Sequence, residues 1–142
     1  MTLCVTQSLI AQKTFKLGFV STFKDSGDSI WLANSQKKDR INNKAIARLG
    51  DVDGGLGKIN INGRDIELKS IKCFSPDRNY KVGRGGYEIW KGKGVTARLD
   101  YIWTWLCPPE NDNCEIYRYK GILDVKYKGF QRKVKVIGVG GS

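Results

Sequence analysis

Apolar and polar residues alternate with a period of two along much of the chain, the spacing that sends successive side chains to opposite faces of a β-strand. Phe15, Leu17, Phe19 and Phe23 recur at even spacing and predict a half-buried strand from Thr14 to Phe23. Ile30, Trp31 and Leu32 form a short β-type run, and the polar stretch from Ser35 to Asn43 reads as a loop. Lys44 to Leu49, centred on AIARL, suits a short helix as well as a strand. Ile59 and Ile61 then lead into Asn62-Gly63, with Ile66 and Leu68 beyond it. Asn-Gly favours the left-handed angles of a type I′ turn, so a hairpin is predicted there.

A loop containing Pro76 and ending near Tyr80 precedes a strand through Tyr87, Ile89 and Trp90, and Gly92 and Gly94 mark the next turn. The clearest strand of the chain follows. Val95, Ala97, Leu99, Tyr101, Trp103 and Trp105 share one face, whereas Thr96, Arg98, Asp100 and Thr104 occupy the other with Ile102 and Leu106 mixed in. After the loop CPPENDNC, Tyr117, Tyr119, Leu123, Val125 and Tyr127 alternate with Arg118, Lys120, Asp124 and Lys126. Lys128-Gly129 turns the chain back into a last strand with Phe130, Val134 and Val136 inward and Lys133 and Lys135 toward water. Eight or nine strands joined by short turns predict an all-β fold, an antiparallel sandwich or small barrel with at most one short helix.

Residues 13–142 read as a single β-rich domain. The opening MTLCVTQSLIAQ is apolar and uncharged, and it reads either as the remnant of a secretory signal or as a loose terminus. No run approaches the roughly 18 apolar residues of a membrane-spanning helix.

Composition changes this picture in two ways. A hydrophobic fraction of 40% with five Phe, four Trp and six Tyr provides for a packed core, which a disordered chain lacks. A net charge of +11 attracts polyanions such as nucleic acid, anionic polysaccharide or an acidic membrane surface, without choosing among them. The absence of histidine removes Ser-His-Asp and Cys-His mechanisms and the commonest general base. An enzyme here would depend on carboxylates or lysine, for which Asp65 with Glu67, or Asp100, are the candidates. Asp65 and Glu67 share a strand face, as alternate surface positions also do. Asp51-Val52-Asp53-Gly54-Gly55 resembles the start of a calcium loop, but position five is Gly55 and position twelve Asn62, so an Asp/Gly turn is the better reading. Gly83-Arg84-Gly85-Gly86 and Gly92-Lys93-Gly94 lead into no predicted helix, and therefore read as turns rather than phosphate cradles. No catalytic residue, cofactor or metal is expected.

Four cysteines stand at 4, 73, 107 and 114. Cys107 and Cys114 flank a Pro-rich turn between two predicted antiparallel strands, which brings them to the short separation a disulfide requires. Zinc fits poorly, because the spacing is wrong and histidine is lacking. The bridge implies an oxidising compartment. Cys73 either pairs with Cys4 or is a free buried thiol. Arg118, Lys120, Lys126, Lys133 and Lys135 are expected on one outward face, where like charges are tolerated more easily beside an anion; the alternative is a solubilising, edge-protecting surface. Tyr117, Tyr119 and Tyr127 point to the opposite face, which argues against base stacking there.

INGRDIELK from Ile61 to Lys69, KVGR from Lys81 to Arg84, VTARLDYI from Val95 to Ile102 and the Cys107–Cys114 loop with its Pro, Asn and Asp residues together resemble small exported bacterial β-domain proteins of uncharacterised function. The resemblance covers about residues 60–138. It implies export and assigns no functional residue. The expectation is an exported or periplasmic, non-enzymatic β-domain serving as a binding or structural module, with a polyanion or a protein as partner. An intracellular nucleic-acid-binding small barrel using the basic hairpin is the alternative.

Overall fold

A computed structural model of the chain describes residues 14–21, 27–50, 55–74, 81–111 and 113–141. Its strands are β1 (Asp28–Leu32), β2 (Ala47–Leu49), β3 (Leu56–Ile61), β4 (Arg64–Phe74), β5 (Gly85–Gly92), β6 (Val95–Leu106), β7 (Ile116–Tyr127) and β8 (Phe130–Gly141), with one helix, α1 (Lys37–Ile41), between β1 and β2. Each strand is antiparallel to the one before it. Ser29 to Leu32 of β1 also pair with Val136 to Val139 of β8, so the meander closes into an eight-stranded barrel rather than a sandwich.

Turn chemistry sets the lower rim. Asn62 and Gly63 at φ 54° and 82°, and Lys128 and Gly129 at 48° and 87°, both hold the left-handed pair of angles that matches strand twist. These two turns fix the registers Ile61↔Arg64 and Tyr127↔Phe130. Alternation then decides which residues fill the barrel. Ile30, Ala47, Leu49, Ile59, Leu68, Trp90, Ala97, Leu99, Trp103, Tyr119, Leu123, Val125 and Val136 form one buried cluster. An eight-stranded barrel is just wide enough to be filled by side chains or to hold one small ligand, and this cluster fills it. The outward positions of β7 and β8 carry Arg118, Lys120, Lys126, Lys133 and Lys135, all exposed. No helix among the described residues is long and apolar enough to cross a membrane.

The strand expected from Thr14 to Phe23 is absent among the described residues of that stretch; Phe23 itself lies outside them. Leu17 makes a single bridge to Ile61. Gly18 N–H donates to Asn60 O (3.1 Å) and Val20 N–H to Ala45 O (2.9 Å), so the segment crosses successive partners instead of following one ladder. Phe15 is buried against the edge of the Tyr127 ring, whereas Phe19 is 50% exposed despite its matching spacing. Asp65 fastens this strap, accepting from the Ser21 amide and hydroxyl and from Asn60 Nδ2. Partial burial pushes its carboxyl up, but the Ser21 and Asn60 donors and the nearby Lys58 outweigh that and hold it below the ordinary range. Asp65 therefore serves as a tether rather than half of a free carboxylate pair with Glu67.

A second correction concerns the stretch read as a loop, which contains α1. Five residues with none buried leave no apolar periodicity to detect. Of the two readings of Lys44 to Leu49, the strand holds at Ala47–Leu49. Asp51 to Gly54 and residues 1–12, including Cys4, lie outside the described residues.

Candidate functional site

Among the described residues, polar chemistry gathers inside the upper rim and outside on β7 and β8, besides the Asp65 tether. Inside, Asp28 at the start of β1 is only 7% exposed, and its carboxylate accepts from the Tyr117 hydroxyl and from the Tyr119 hydroxyl at 3.0 Å. Glu88 accepts from Trp90 Nε1 at 3.1 Å. Tyr101 and Trp103 meet edge to face with centroids 5.0 Å apart, and Trp103 meets Tyr117 in the same way at 5.1 Å. Room for these rings comes from β8: a Cβ on Gly138 would collide with the Tyr119 ring, and one on Gly140 with Asp28 and Tyr117. Burial, reinforced by the Asp28 carboxylate, pushes the Tyr119 hydroxyl well above its usual pKa. It keeps its proton and remains a donor. A carboxylate holding two tyrosyl hydroxyls within a closed set of rings is arranged to fix the end of the barrel, a structural task.

Outside, the ladder places the predicted cations in a specific way. Arg118 lies opposite Val139, Lys120 opposite Ile137, Lys126 opposite Gln131, Lys133 opposite Asp124 and Lys135 opposite Ile122. All five share the exposed face, yet no two basic residues face each other directly. The like-charge argument is thus weaker than the alternation suggested. Lys126 and Lys133 lie toward the Lys128-Gly129 turn, near Asp124, which also accepts from Gln131 Nε2 at 2.9 Å. Arg118 and Lys120 instead line a cleft of about 430 Å³ with Trp31, Arg40, Thr104 and Ile137. Lys120 and Ile137 continue into a groove of about 670 Å³ that also holds Ile102, Ile122 and Lys135.

Sequence periodicity missed two contributors. Trp105 was expected in the core with Trp103, but the β6–β7 register shifts between Trp103 and Trp105. A bulge inserts one residue and sends the next side chain to the other face, so Trp105 is 42% exposed with the Arg118 guanidinium 5.9 Å from its ring centre. Such cation–π pairs hold an arginine in place at a surface. Arg40 comes from α1, where one Nη donates to Ser35 Oγ at 3.1 Å and to Ser35 O. Nothing in the alternating pattern ties a residue of that polar stretch to β7. Tyr117, Tyr119 and Tyr127 do point inward, as expected.

Cys107 and Cys114 are joined in a disulfide with Cα atoms 5.7 Å apart. Cys73 is a free thiol, and it is exposed where a buried one was considered. No group of His, Cys, Asp and Glu able to hold a metal occurs among the described residues. Gly83 lies in a turn, whereas Gly85 and Gly86 open β5.

The chain matches no protein-family model, no curated protein and no solved structure. Its functional reading rests on the geometry above.

Proposed function

We propose that the chain is an exported, non-enzymatic β-barrel module that binds an anionic ligand on the outer surface of β7 and β8. The observation that carries this is the register, which sets Arg118, Lys120, Lys126, Lys133 and Lys135 on one exposed face. Asp124 is the one acidic side chain among the outward positions from Arg118 to Lys126 and from Gln131 to Val139. A surface of this sign draws anions and weakens as salt screens it. Export is supported by the Cys107–Cys114 bridge, because such bridges persist in oxidising compartments. Labelling of both cysteines by a thiol reagent in freshly broken, unreduced cells would remove that support.

Titration with dextran sulfate and with mixed-sequence single-stranded DNA at two salt concentrations tests the binding. The expected result is saturable binding that falls with salt and that drops about tenfold when Lys120 and Lys135 are both changed to Glu. Binding untouched by that double reversal would place the anion elsewhere. A second reading, nucleic-acid binding, is favoured by Trp105 beside Arg118, since an exposed ring next to a cation is what base stacking uses. It predicts that DNA outcompetes dextran sulfate and that Trp105→Ala weakens DNA alone.

A further inference from the structure

We propose that the outer cleft and groove form a site for one long-chain carboxylate, with its head at the Arg40–Arg118–Lys120 end and its alkyl chain on the isoleucine floor. This rests on the anion-binding reading and names the ligand class. At the head end, Trp31 lines the cleft as an apolar wall and is 8% exposed. A carboxylate head matches the charge of this cleft, with two oxygens to accept and no proton to place. The same cleft supplies its countercharges: Arg40, held by Ser35 through one Nη, and Arg118, held over Trp105, both bring guanidinium groups already oriented by other contacts.

The floor supplies the other half of the argument. Ile102 and Ile122 are each 41% exposed and share the groove with Ile137. An apolar strip set among cations is the complement of an amphipathic anion, whose tail leaves water as its head is neutralised. Lys135 flanks the floor, where its methylene stem extends the apolar surface. Asp100, the one carboxylate among the described residues lining the groove, is engaged in a two-bond pair with Arg98, at 2.9 and 3.1 Å, which partly offsets its charge toward an entering anion.

Calorimetry with laurate below its micellar concentration tests the proposal, with butyrate and dodecyltrimethylammonium as comparators. Each buried methylene is worth about fourfold in affinity, so burying half of the eight extra methylenes should make laurate roughly two hundredfold tighter than butyrate. The ammonium surfactant, which has the tail and the wrong head, should not bind. Arg118→Gln with Lys120→Gln should weaken laurate about tenfold at unchanged melting temperature, and Ile122→Ser should narrow the gap between laurate and butyrate. Butyrate binding as tightly as laurate, or the ammonium surfactant binding equally, would overturn the proposal. If DNA or dextran sulfate binds and laurate does not, the ligand class falls and the anion-binding reading stands; if none binds, both fall.

Discussion

The inner and outer faces of β6, β7 and β8 share one backbone and differ in almost everything else. Inside, Leu99, Trp103, Tyr119, Leu123, Val125 and Val136 belong to a single buried cluster, and the rings of Tyr101, Trp103, Tyr117 and Tyr119 lie against one another. Outside, Arg118, Lys120, Ile122 and Lys135 are exposed. Close packing makes the inner face intolerant of a change in volume, whereas exposed side chains can be exchanged with little effect on folding. The residues that pack the barrel and those that form the proposed binding face thus alternate along the same strands, and the two sets can be altered separately.

The strongest challenge to that division is Trp103→Ala, which removes the ring at the centre of the aromatic group. It should cost about 3–5 kcal/mol in denaturant unfolding, as large-to-small changes of buried aromatic residues do. A loss much smaller than that would mean the upper rim is loosely packed. Gly138→Ala comes next. Its added methyl collides with the Tyr119 ring, and overpacking of this kind costs about 1–3 kcal/mol. In a Tyr119→Leu background most of that extra cost should vanish, which separates the collision from a backbone effect.

Tyr119→Phe keeps the ring and removes a hydrogen bond to Asp28, so a loss of about 1–2 kcal/mol is expected. The same residue gives a pH signature. Its hydroxyl titrates well above the ordinary tyrosine value, chiefly through burial and then through the Asp28 charge. Its share of the stability is therefore complete below about pH 10, where unfolded tyrosine is still protonated, and is lost as pH rises through the folded value. Melting curves from pH 8 to 11 should fall more steeply in the parent chain than in Tyr119→Phe. The smallest structural effect belongs to the outer face. Lys120→Glu should leave the melting temperature unchanged while weakening binding of dextran sulfate, and a large drop in melting temperature would erase the distinction between the faces.

Much of the barrel was legible because the information was local. Asn62-Gly63 and Lys128-Gly129 specify their turns by backbone angle alone, and from those turns the registers of β3 with β4 and of β7 with β8 follow. The alternation of Val95 to Trp103 likewise matches the buried face of β6. Legibility ended where a long-range partner decided the outcome. Trp105 left the core because β6 gains a residue relative to β7, and a bulge changes register without changing composition. Phe19 kept the spacing of a strand residue but had no continuous ladder beside it. The site was half visible for the same reason. Arg118, Lys120 and Lys135 could be read from period two, whereas Trp31 and Arg40 join them only because β1 closes onto β8.

That closure also shapes how the chain must fold. Ser29 pairs with Val139, so the last seam joins opposite ends of the described chain, while the hairpins between β3 and β8 need only their neighbours. Contacts of such sequence separation carry a high loop-closure entropy and slow the search for the native state. Until β1 docks, β8 presents an unpaired edge, and the cleft lined by Trp31 and Lys120 does not exist. Binding competence should therefore appear in the last kinetic phase of refolding, after most of the strand signal has already been recovered.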